Sequence, residues 1–160
     1  MTHVSRLPTC RIQECHCTVA AMLSDCSVGD LRFDACFDGG NATRVEQGST
    51  ADEFLLWTAC DAAGTPHEKQ YKSWFAFAVK GCSRGRMLTF TIHNMNCLGK
   101  LFKFDMRPAY RYLPSKPAWG RIPTQTTQTG THKGSTDFTL SFRHRCECSE
   151  EETMFFAFCL

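Results

Sequence analysis

The pattern in this chain most suggestive of chemistry is His144-Arg145-Cys146-Glu147. In a zinc peptidase an H-x-x-E spacing supplies two metal ligands, a distant His supplies a third, and a separate Glu acts as general base. His144 is the last histidine of the sequence, so no downstream ligand is available to complete such a site. The match reads as chance. Two cysteine groupings offer soft donors: Cys10, Cys15, His16 and Cys17 with Cys26, and Cys146 and Cys148 with His144. Neither has the C-x2-C spacing of a zinc knuckle. There is no G-x-S-x-G, and Gly81 to Gly85 lacks the Lys and Ser/Thr of a phosphate-binding loop. No catalytic residue, no metal ligand and no cofactor is therefore assigned to the chain itself.

What remains is charge. Residues 25–70 hold nine acids and three bases, whereas residues 84–121 hold eight bases and one acid, Asp105. Within the basic stretch Lys100, Lys103, Arg107, Arg111, Lys116 and Arg121 form the candidate surface for an acidic partner or for a docking domain. An Arg fork matches a carboxylate bidentately. Residues 105–123 also carry four of the six prolines, which predicts surface loop. Solvated faces that balance one another are the plainer reading, and both stay open.

Formal net charge is only +2, which gives no reason to invoke a nucleic-acid or membrane partner. No run approaches the ~18 apolar residues of a membrane span. Trp74, Phe75 and Phe77 sit at strand period and read as core rather than as a base-stacking platform. Met1 to Pro8 contains no apolar core of a secretory signal, so secretion is not expected and a cytoplasmic location is. Eleven cysteines are then expected to be mostly reduced thiols, with Cys36, Cys60 and Cys159 serving as small hydrophobes.

These residues need a scaffold, and its pattern is β. The chain has one domain's worth of sequence. Residues 1–30 show no sustained period and read as an extension, with a short helix near Thr18–Leu23. From Leu31 onward Leu31, Phe33, Ala35 and Phe37 alternate with Arg32, Asp34 and Cys36, a period of two. Asp38-Gly39-Gly40-Asn41 is turn chemistry. Phe54 to Trp57 begins another strand, and Trp74 to Val79 reads as a strand covered on both faces. Gly81 to Gly85 predicts a hairpin joining that strand to Arg86–Ile92. Thr124 to Ser135 reads as a mobile loop, Phe138, Leu140 and Phe142 as a strand, and Thr153 to Leu160 as an apolar last strand that leads into a further domain. The expected fold is an all-β antiparallel sandwich of about eight to nine strands.

At this level of detail the residues resemble a family. Phe37-Asp38-Gly39-Gly40-Asn41 followed by Val45-Glu46 resembles the opening of the N-terminal domain of cytosolic carboxypeptidases. Ser73-Trp74-Phe75-Ala76-Phe77-Ala78-Val79 is similar to its W-F-x-F-x-V strand. Ile92-His93-Asn94-Met95-Asn96 with Lys100-Leu101-Phe102 is similar to the strand end and continuation that follow. Met106-Arg107-Pro108, Pro117 to Ile122, Phe138 to Arg145 and Phe155 to Cys159 complete the series in order. Gly40 and Asp105 depart from the usual residues, and residues 1–30 match nothing in the pattern.

The resemblance implies a β-sandwich domain over residues 31–160, after an extension over residues 1–30. It implies a zinc carboxypeptidase domain after residue 160, which would hold the zinc, its ligands and the catalytic glutamate. The fragment itself would be a non-catalytic accessory domain that stabilises that neighbour. The Asn94-Met95-Asn96 and Leu140 to Arg145 forms resemble the type-5-like branch, which implies removal of glutamates, branch points included, from acidic tails such as tubulin's, and microtubule association. The alternative is a stand-alone β-sandwich module that binds acidic proteins.

Overall fold

The computed structural model describes residues 22–130 and 138–159. The helix expected near Thr18–Leu23 lies outside the described residues, except for Met22 and Leu23, which are not helical. In chain order the elements are β1 (Cys26–Val28), β2 (Leu31–Asp34), β3 (Ala42–Gln47), β4 (Glu53–Thr58), β5 (Ala76–Lys80), β6 (Met87–Met95), α1 (Gly99–Lys103), β7 (Ala109–Leu113), β8 (Lys116–Arg121), β9 (Thr127–Thr129), β10 (Phe138–Arg145) and β11 (Thr153–Ala157). A first sheet has the order β1-β2-β5-β11-β7-β8 and a second the order β3-β4-β6-β10-β9. The protein is thus an all-β sandwich, with more strands than the sequence suggests. Pairing is antiparallel except between β4 and β6, which run parallel.

Period-two patterning builds the core. On β10, Phe138, Leu140, Phe142 and His144 are buried, while Arg143 and Arg145 are exposed. Phenylalanines from both sheets meet in the middle. Phe90 of β6 lies 5.2 Å from Phe77 of β5 and 4.9 Å from Phe156 of β11, ring centre to ring centre. Phe33 of β2 meets Phe54 of β4 at 5.0 Å. Each such ring contributes on the order of 2–3 kcal/mol by burial. β5 is buried on both faces from Ala76 to Val79, as its unbroken apolar run predicts.

Four expectations need correction. Residues 26–28, assigned to the extension, form β1 and pair with β2, and Leu23 is buried in the core. The hairpin across Gly81 to Gly85 is not a hairpin. β5 and β6 lie in different sheets, because β2 and β11 already occupy both sides of β5. The loop instead crosses the sandwich beside the β10–β11 loop, with Gly81 N–H donating to Glu150 O at 3.2 Å and Gly85 N–H to Cys146 O at 2.8 Å. Cys82, buried inside that loop, was the available clue, since a hairpin tip seldom buries a side chain.

The Pro-rich stretch is likewise not irregular: β7 and β8 pair within it. Pro117 is tolerated because β8 is an edge strand, where a missing N–H costs no ladder bond. Finally, β9 lies inside the Thr-rich segment read as a loop and pairs with β10. Residues 131–135 of that segment lie outside the described residues.

Candidate acidic-partner surface

The H-x-x-E residues come apart on the strand. Side chains three apart on an extended chain point to opposite faces. His144 is 3% exposed in the core, whereas Glu147 is at the surface. The His144 ring lies 4.5 Å from Tyr110 and 5.1 Å from Phe156, and Nε2 shares a 2.6 Å hydrogen bond with the Tyr112 hydroxyl. Burial, with a smaller contribution from the Lys116 charge, pushes the imidazole pKa down to about 4. Burial raises Tyr112. The pair cements β7 onto β10.

Among the described residues, no group of three or more His, Cys, Asp or Glu is placed to hold a metal ion. Among the described residues Cys60, Cys82, Cys97, Cys146, Cys148 and Cys159 are thiols outside any disulfide, and Cys26 is disulfide-bonded.

The six basic candidates divide into two regions. Lys100 and Lys103 lie on α1, both exposed. Arg111 lies on β7, and Lys116 and Arg121 on β8. Arg107 sits between the regions and is neutralised: its guanidinium donates to both carboxylate oxygens of Asp105, at 3.1 and 2.7 Å, and to Pro123 O at 2.6 Å. Arg121 donates to Arg107 O at 2.8 Å. Arg107 therefore braces the surface more than it offers charge, whereas Arg121 holds only a carbonyl and keeps its charge. Lys116 donates to the Tyr110 hydroxyl at 2.9 Å and lies 4.6 Å from that ring's centre.

Arg111 is different. Alternation along β7 buries Tyr110 and Tyr112 and turns Arg111 to the outer face of the first sheet. There its guanidinium lies 4.6 Å from the Trp119 ring and 5.0 Å from the Phe155 ring. The Phe155 contact follows from register, because Phe155 is its cross-strand partner. Arg111 Nε is buried and has no hydrogen-bond partner among the described residues. Beside Phe155 runs a cleft of about 260 Å³, lined by Phe37, Ala78, Lys80 and Thr153 among others.

The motif asparagines, which the sequence pattern quotes without a role, turn out to be backbone staples. Asn41 accepts from Ala76 N–H at 2.9 Å and donates to Trp74 O at 2.8 Å. Asn94 does the same to Thr58, at 2.9 and 2.8 Å, and Asn96 ties Lys72 N–H and Gln70 O. Each side-chain amide stands in for a strand's peptide group where the ladder stops. Gly40 is fixed by space, since a Cβ there would meet Ala35 O at 2.1 Å.

Residues 33–159 match the family model of the cytosolic carboxypeptidase N-terminal domain. The cytosolic carboxypeptidase-like protein 5 of Mus musculus is 43% identical over 154 residues, covering 82% of this chain and 17% of the relative. That of Homo sapiens is 36% identical with the same coverage. Cytosolic carboxypeptidase 6 of Homo sapiens is 30% identical over 134 residues, covering 82% of this chain and 25% of the relative. Among solved structures, a Shewanella denitrificans chain provisionally named carboxypeptidase A shares the fold at TM-score 0.53 and 24% identity, over 79% of this chain and 28% of that one. The chain thus spans about a sixth to a quarter of the length of these curated relatives. The match to the family model and to relatives of both types has one reading: this chain belongs to the family of cytosolic carboxypeptidase N-terminal domains.

Proposed function

We propose that the chain is the non-catalytic accessory domain of a cytoplasmic, microtubule-associated zinc carboxypeptidase that trims glutamates from acidic tails such as tubulin's. In this reading the zinc belongs to a carboxypeptidase domain after residue 160. The present domain stabilises that neighbour and contributes one contact to the acidic tail. Arg111 is that contact. Two aromatic faces hold its guanidinium in place, which limits the entropy a bound carboxylate would otherwise cost it, and among the described residues no carboxylate pairs with it. Arg44 on the other sheet shows the closed version: it stacks 4.4 Å over Trp57 but is paired with Glu46.

The test is titration of a labelled polyglutamate peptide into the protein at low salt. Arg111→Glu is expected to weaken binding by about tenfold to a hundredfold, the size of a charge-assisted hydrogen bond. Arg44→Glu should leave it unchanged, and moderate salt should weaken it. A wild-type protein that does not bind the peptide at low salt would remove Arg111 from this role. Sequence of the gene beyond residue 160 that lacks a carboxypeptidase domain would remove the accessory-domain reading as a whole.

A further inference from the structure

We infer that the α1 tip is the face on which the carboxypeptidase domain seats, with Leu98, Leu101 and Phe104 entering an apolar recess on that domain and Lys100 and Lys103 meeting an acidic rim around it. This rests on the accessory-domain reading above. The first observation is exposure. Among the described residues four large hydrophobic side chains are exposed, and three of them fall within seven residues: Leu98 at 48%, Leu101 at 41% and Phe104 at 84%. Leu98 and Phe104 flank α1 and Leu101 lies at its middle, so the three fall on one short stretch of the surface. Isolated exposed hydrophobes are ordinary, but a cluster this dense marks an interaction surface.

The second observation is the backbone. Leu98 at φ 62° and Asp105 at φ 64° bracket the tip, both in the left-handed region, which Asp tolerates and Leu avoids. Such conformations persist where the surroundings hold them, and they cluster at functional positions. Close packing holds the start of the tip. A Cβ on Gly99 would meet Gln128 Nε2 at 2.7 Å and the Phe138 ring at 3.0 Å, so the tip is pressed onto β9 and β10. Next to it is a cleft of about 330 Å³, lined by Phe102, Lys103, Asp105, Gln125, Thr126 and Gln128. Gln128 Oε1 is buried there with no hydrogen-bond partner among the described residues, leaving an acceptor for an incoming donor.

The third observation chooses the occupant. The buried side chain of the tip is Phe102, and its ring lies 5.4 Å from that of Phe158, just beyond β11. The chain just after β11 thus passes the buried side of the tip, and in the accessory-domain reading the neighbour follows from there. Neither Lys100 nor Lys103 is paired with a carboxylate among the described residues, so an acidic rim complements them. A second copy of this chain fits less well, because it would bring the same lysines together.

The experiment is hydroxyl-radical footprinting of the gene product that contains both domains, beside the 160-residue chain. The expected result is labelling of Leu98, Leu101 and Phe104 reduced by about fivefold or more in the longer protein, the size expected when exposed side chains pass into an interface core. Tyr71, the fourth exposed hydrophobe, at 56%, serves as the unchanged reference. Phe104→Asp with Leu101→Asp should restore labelling at Leu98 in the longer protein and speed proteolytic separation of the domains, while leaving the thermal midpoint of the 160-residue chain where it was. Equal labelling in both proteins would overturn the inference and leave the accessory-domain reading standing. Protection already present in the 160-residue chain, together with a dimer in sedimentation, would overturn it in favour of self-association. A gene with no carboxypeptidase domain would overturn both.

Discussion

Arg44 and Arg111 lay their guanidinium groups over indole rings at nearly the same height, 4.4 Å over Trp57 and 4.6 Å over Trp119, on different sheets of the sandwich. On the second sheet Glu46 sits two residues along β3 from Arg44, hence on the same face, and closes the charge. On the first sheet the residue two along β7 from Arg111 is Leu113, and no carboxylate takes that place. An arginine stacked on an aromatic ring is therefore not by itself a sign of a ligand. The open site differs from the closed one by a single position in the strand period. It also differs in what lies beneath it, because β7 is bound to the core through Tyr112 and His144.

That foundation gives the largest expected effect. Tyr112 is 2% exposed, and Tyr112→Ala should cost about 3–5 kcal/mol, the range for emptying a large aromatic site. It should also weaken peptide binding, since Arg111 rides on the same strand. Trp57→Ala, beside the closed pair, should cost clearly less, because Trp57 is only half-buried. Denaturant midpoints of the two variants measure the difference. Equal losses would mean that the first sheet's flank is no better anchored than the second's.

Acid should loosen the same foundation. The His144 pKa is depressed to about 4 in the fold, against an ordinary value of 6.5. Between those values the unfolded chain binds the proton and the folded one does not, so stability is complete above pH 6.5 and declines as pH falls toward 4. The decline contributed by this group is on the order of 3 kcal/mol. Unfolding free energies measured from pH 7 to pH 4 should show the slope, and His144→Leu should flatten it across that window.

How much of this is legible in the sequence follows from which physics each feature depends on. The inward faces of β2 and β10 can be read directly, because Phe33 and Phe142 alternate with polar residues, whereas β4 is apolar on both faces from Phe54 to Trp57. The partners of β5 and β6 cannot, since a five-residue loop serves equally for turning within a sheet and for crossing between sheets. The basic residues can be found by counting. Their division cannot, because it depends on Asp105 reaching Arg107 while, among the described residues, no acid pairs with Arg111. Phe104 gives the opposite error: in Leu101-Phe102-Lys103-Phe104 both rings look like core, but a helical turn sets side chains two apart on nearly opposite sides, so Phe102 is buried and Phe104 is exposed. The asparagine staples have no periodic signal at all. They are visible only as motif letters whose partners lie 24 to 36 residues away.

Closing the open site is the sharper manipulation of the comparison. Leu113→Glu places a carboxylate two residues from Arg111, the arrangement that Glu46 has with Arg44. It should lower polyglutamate affinity by about tenfold while costing the fold little, because Leu113 is only partly buried. Full peptide binding by this variant would show that the peptide does not use Arg111.

Opening the closed site is the reverse change and should have the smallest effect. Glu46→Leu removes the partner of Arg44 and leaves its guanidinium over Trp57. If a stacked, unpaired arginine is enough to hold a carboxylate, the variant should gain a second, weaker site for the peptide. The gain should be about threefold at most, because the Arg44 side chain is 53% exposed and water screens its charge. Removing one acid also makes the whole protein more attractive to a polyanion, so the gain has to be separated from that general pull. Glu68→Leu removes an equal charge from an exposed loop and supplies the reference. A gain in Glu46→Leu above that in Glu68→Leu would show that stacking and vacancy suffice. Identical gains would locate the specificity of Arg111 elsewhere, in its second aromatic neighbour, Phe155, and in the rigid strand beneath it.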